Sequence, residues 1–134
     1  MKLNQSLPLF LLLFAALAHA GSPDPVLFDE RVRLAKAAES DEQLKTYPHA
    51  MFKRAGRHFA RTMRKCIAVS PKAEMQAFML VADINARGRA EAIEVKPDNG
   101  FARCFATRFA AASYLKPPAY PGRESFPVTM RVAP

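Results

Sequence analysis

The chain has 134 residues, half of them hydrophobic and 24% charged, with a formal net charge of +8. That balance excludes a disordered or low-complexity polypeptide, and the length is that of one small domain with a modest core. The excess of Lys and Arg directs attention to anionic surfaces or acidic partners.

The first residues, Met1-Lys2-Leu3-Asn4-Gln5-Ser6, are followed by an apolar run from Leu7 to Ala18 and by Ala18-His19-Ala20 before Gly21. A short positive start, a hydrophobic middle and a small-x-small site together predict a secretory leader cut after Ala20. The competing reading is a permanent anchor. A spanning helix needs about 20 apolar residues, and this run is shorter and carries Pro8 near its start. The mature chain, residues 21–134, is then expected as a single exported domain. It holds two cysteines, Cys66 and Cys104. An even count in an exported protein predicts a disulfide, against the alternative of two buried free thiols. The loop closed by such a bridge is worth about 4 kcal/mol.

Asp24-Pro25 opens a helical stretch in which Leu27, Phe28, Val32, Leu34, Ala35 and Ala38 recur at helical spacing. Ser40 with Gln43 has the form of a capping box, so a helix is expected to restart there. Pro48 forces a break or a fresh start, and from His49 to Ser70 the pattern is the clearest in the chain. Phe52, Ala55, Phe59, Met63 and Cys66 fall on one side of the helical wheel. Lys53, Arg54, Arg57, Arg61, Arg64 and Lys65 fall on another.

After Ser70-Pro71, alternation over Met75–Asp83, a turn at Asn85-Ala86-Arg87-Gly88 and a return over Arg89–Lys96 predict an antiparallel hairpin. Phe101, Phe105, Phe109 and Ala112 form another helical stripe, with Cys104 at its border. Lys116 to Gly122, with three prolines, is a loop. Pro127–Val132 closes the chain as a short strand. The expected class is α+β: a helical part (21–71) whose two helices pack on one face of a three-stranded sheet, and a ββαβ part (72–134).

The segment Val81-Ala82-Asp83-Ile84-Asn85-Ala86-Arg87-Gly88, the return Ala92-Ile93-Glu94-Val95, the helix around Cys104, Pro117-Pro118 and Phe126-Pro127-Val128-Thr129-Met130-Arg131-Val132 resemble the C-terminal domain of the TonB family. The likeness is closest to variants with one cysteine before the hairpin and one in the following helix, the places of Cys66 and Cys104. The resemblance implies a non-enzymatic periplasmic module that binds an extended peptide by strand addition. The binding edge would be Val128, Thr129, Met130, Arg131 and Val132. Two features of a full energy transducer are missing, an uncleaved anchor and a long proline-rich spacer, so a stand-alone role is expected.

No catalytic residue, cofactor or metal site is expected. His49 and His58 lie on or beside the basic helix, with His58 expected in solvent at its border, and no CxxC or HExxH occurs. Glu91 is expected on the strand face of Ile93 and Val95, with Glu94 on the other. Gly88 serves the turn. The six cations of the long helix, with no acid between Met51 and Ser70, create a local positive potential. They suit an anionic polymer, lipid head groups or an acidic partner in the cell envelope. Nucleic acid fits the charge but not the compartment.

Overall fold

The computed structural model describes residues 25–134; the expected leader and its expected cut after Ala20 lie outside the described residues. The element order is α1 (Pro25–Ser40), α2 (Thr46–Val69), a short 3-10 turn (Lys72–Glu74), β1 (Phe78–Ile84), β2 (Ala90–Lys96), α3 (Gly100–Ala111) and β3 (Phe126–Val132). The three strands form one antiparallel sheet in the order β2-β1-β3. The α+β class holds. Among the described residues no helix is long and apolar enough to cross a membrane.

The helix ends follow local chemistry. Asn99 caps α3, its side-chain oxygen accepting from the Ala102 N–H at 2.9 Å. Pro48 sits inside the first turn of α2, where backbone N–H groups have no intrahelical acceptor to lose. The expected restart at Ser40 does not occur. The Ser40 hydroxyl instead donates back to the Lys36 carbonyl, and Asp41 accepts from the Gln43 N–H to build a turn between α1 and α2.

Alternation along β1 sends Phe78, Leu80, Ala82 and Ile84 to one face and Met79, Val81 and Asp83 to the other. On the even face Leu80, Ala82 and Ile84 meet Phe126 and Val128 of β3 and Val95 of β2. Above them lie Phe101, Phe105 and Phe109 from α3 and Tyr47, Met51 and Cys66 from α2. Each buried aromatic or large aliphatic side chain there contributes about 1.5–3 kcal/mol of apolar burial. The Cys66–Cys104 disulfide, with Cα atoms 5.7 Å apart, joins α2 to α3 across this layer.

The two N-terminal helices do not share a face. Helix α1 lies on the odd face: Phe28 and Ala35 are buried there together with Val81 and Thr129, and Arg31 reaches Asp83 and Glu94. The physical reason is that Val81 and Thr129 are apolar or hydrogen-bonded at their tips, so the sheet has two faces to cover. Only the helix before the α1–α2 turn can reach the second.

Strand β2 carries a bulge. Register shifts between Val81 and Asp83, and Ala92 takes a φ of 50°. The extra residue turns Glu91 onto the odd face opposite Asp83, with Glu94 opposite Val81. Glu91 therefore does not share the face of Val95, because a bulge resets the two-residue period.

Candidate binding edge and basic helix face

Strand β3 lies at the edge of the sheet, and the hairpin fixes which of its backbone groups are free. The Asn85 N–H donates to the Arg89 carbonyl across the turn, so the odd residues of β1 point their backbone groups toward β2. The even residues, Phe78 to Ile84, then bond β3, through their partners Val132, Met130, Val128 and Phe126. Pro127, Thr129 and Arg131 are left facing outward. Pro127 agrees with this, since proline has no N–H to give the ladder; it is buried, as is Thr129, and only Arg131 of the three is exposed. Among the described residues, no backbone group from Phe126 to Val132 bonds outside the ladder. Among the described residues, the groups left without a partner are the N–H of Thr129 and Arg131 and the carbonyls of Pro127, Thr129 and Arg131.

The two sheet edges differ. All seven residues of β3 keep unbroken register with β1. Edge β2 is interrupted at Ala92, whose carbonyl accepts from Arg31 Nη2 at 2.6 Å. A bulge and an inserted guanidinium both blunt an edge for further pairing.

The side chains of the five edge residues divide between core and surface. Val128 and Val132 are buried on the even face. Thr129 is buried on the odd face, and its hydroxyl donates to the Leu80 carbonyl at 2.9 Å. Met130 is half-buried and Arg131 exposed. These two line a depression along the edge. A cavity of about 530 Å³ is bounded by Lys36 and Glu39 of α1, Lys45, His49 and Phe52, and by Met79, Thr129, Met130 and Arg131. It adjoins another of about 310 Å³ lined by Phe59, Met63, Met130, Arg131 and Ala133. Burial pushes the Glu39 carboxyl above its ordinary range, against the pull of Lys36.

The chain matches no protein-family model, curated protein or solved structure.

The groove walls were hidden in the sequence. Phe52, Phe59 and Met63 belong to the apolar arc of α2 and read there as core. They are half-buried, with Phe59 stacked 5.7 Å from Phe109 and 6.2 Å from Phe52. Their place at the margin of that arc was the available signal. Lys36 and Lys45 carried no signal, since only the turn after Ser40 brings them beside β3.

Lys53, Arg54, Arg57, Arg61, Arg64 and Lys65 are all exposed, and none forms an ion pair among the described residues. At about 100° per residue, Lys53 and Arg64 are the members of this face nearest the groove wall. His58 is not in solvent as expected. It is half-buried between helices, its Nε2 lying 3.2 Å from the Arg108 carbonyl. The carboxylates of β1 and β2 are taken up structurally: Arg31 and Arg123 flank Asp83, and Ser125 donates to Glu91.

Proposed function

We propose that this protein is a non-enzymatic periplasmic binding module of TonB C-terminal type, which recognises a protein or peptide by strand addition to β3. The observation that carries the reading is the outward set of backbone groups on exposed Arg131 and on the more enclosed Thr129, on an edge in unbroken register with β1. The opposite edge is blunted by the bulge at Ala92. Main-chain pairing would supply most of the affinity. The ββαβ order of the C-terminal part and the leader-like N-terminus support the assignment of family type and compartment.

The test is crosslinking in the native envelope with Arg131→Pro beside Arg131→Ala. Proline at 131 deletes an outward N–H and leaves the β1 ladder intact, whereas Thr129 is less suitable because its hydroxyl is bonded inside. Capture of the partner falls at least tenfold in Arg131→Pro and persists in Arg131→Ala. A folded Arg131→Pro protein that captures the same partner refutes strand addition.

A second reading rests on the exposed cations of α2, which form no ion pair among the described residues: docking to an anionic envelope surface. Arg57→Glu, Arg61→Glu and Arg64→Glu combined, and added salt, would each release the protein from anionic vesicles. Salt-insensitive binding excludes that mode.

A further inference from the structure

The groove beside β3 has two chemically different sides. On the even face, toward α2, its wall is Phe52, Phe59, Met63 and the side chain of Met130. On the odd face, toward α1, stand Lys36 and Arg131 beside half-buried Met79, with Lys45, paired to Glu42, at the turn. One acid, Glu39, lies among them. Lys36 and Arg131 make no ion pair among the described residues.

A strand laid along Thr129–Ala133 would present successive side chains alternately to these two sides. We infer that the partner is an extended segment in which apolar and acidic residues alternate, apolar side chains meeting α2 and carboxylates meeting Lys36 and Arg131. The inference rests on the strand-addition reading and adds the chemistry of the occupant. At about 3.3 Å per residue, the open stretch holds four to five residues. Charge also selects against a second copy of this chain. Its own β3 would bring Arg131, not a carboxylate, to the cationic side, and like charges across strands are unfavourable.

Four labelled ten-residue peptides test this by fluorescence anisotropy with the folded protein. One alternates valine and glutamate, one has the same composition in two blocks, one alternates valine with lysine, and one alternates valine with serine. The valine–glutamate alternation binds at least tenfold tighter than each of the others, and salt weakens it. In the protein carrying Lys36→Glu and Arg131→Glu, the preference inverts toward the lysine peptide; both sites are exposed, and circular dichroism checks the fold.

N-methylation of alternate peptide amides separates the two levels of the argument. If the serine peptide binds as tightly as the glutamate peptide and N-methylation abolishes both, strand addition stands and the acidic partner is overturned. If N-methylation in both registers, each tested separately, leaves binding unchanged, strand addition itself is wrong. Binding of none of the peptides at millimolar concentration, or a dimer that excludes them, overturns both.

Discussion

Arg31 of α1 lies 3.5 Å from Asp83 of β1, and the same guanidinium is 3.0 Å from Glu94 of β2. One side chain thus pins the first helix to two strands of the odd face. The Glu94 Oε2 atom is buried without an aligned hydrogen bond, so its contact with Arg31 is coulombic. All three side chains are mostly shielded from water, which separates this cluster from the exposed Arg33–Glu30 pair on the outside of α1.

Arg31→Met removes the charge, leaving Glu94 without its cation and Asp83 with Arg123 alone. We expect a loss of about 2 kcal/mol in denaturant unfolding, whereas Arg33→Met costs less than about 0.5 kcal/mol. Equal effects at the two positions would show that α1 is held by apolar packing alone.

Gly88 combines a φ of 78° with a close neighbour: an added Cβ would lie 2.2 Å from the Tyr114 carbonyl oxygen. That carbonyl belongs to backbone, and the Tyr114 N–H already donates to the Gly88 carbonyl at 2.8 Å. Gly88→Ala therefore pays both the left-handed backbone cost and a steric one, about 2–4 kcal/mol. Gly122 has a similar φ of 74° with open space around it, so Gly122→Ala costs about 1 kcal/mol. The ratio of the two, read from urea midpoints, checks the contact rather than the dihedral.

Reduction of Cys66–Cys104, or Cys104→Ala, releases a loop of sequence separation 38 and lowers stability by up to about 4 kcal/mol. Urea unfolding with and without reductant measures it. A shift below about 1 kcal/mol would mean that packing of Phe59 on Phe109 already fixes α2 on α3.

Tyr47 and Tyr114 donate their hydroxyls to the Leu115 and Phe109 carbonyls at 2.8 and 2.7 Å, and burial raises both phenols above their ordinary range. The unfolded tyrosines ionise first, near pH 10. Their contribution is complete below that pH and is lost as pH rises toward the folded values, at up to about 1.4 kcal/mol per pH unit for each. Thermal melts between pH 8 and 11.5 should show the fall, and Tyr47→Phe should make it shallower. An unchanged slope in that variant would remove Tyr47 from the account.

Local pattern was enough for most elements. The four-residue recurrence of Phe101, Phe105 and Phe109, the alternation of β1, the Asn85–Gly88 turn and the final strand were all legible, because each is set by neighbours a few residues away. The cationic face of α2 was legible for the same reason, and the cysteine pair followed from its even count.

Other features depended on residues distant in sequence. The bulge at Ala92, which turned Glu91 to the odd face, arises where β2 meets β1 and has no signature of its own in the sequence Ala-Glu-Ala-Ile-Glu-Val. The placement of α1 opposite α2 depended on which face of the sheet still had Val81 and Thr129 to cover. The groove joins Lys36, Phe52 and Met130, far apart in the chain and brought together where the α1–α2 turn passes beside Thr129–Arg131. Sequence period decides which side chains share a face of one element. Only the packing of elements decides which face meets which, because burial is settled by the whole sheet rather than by any one strand.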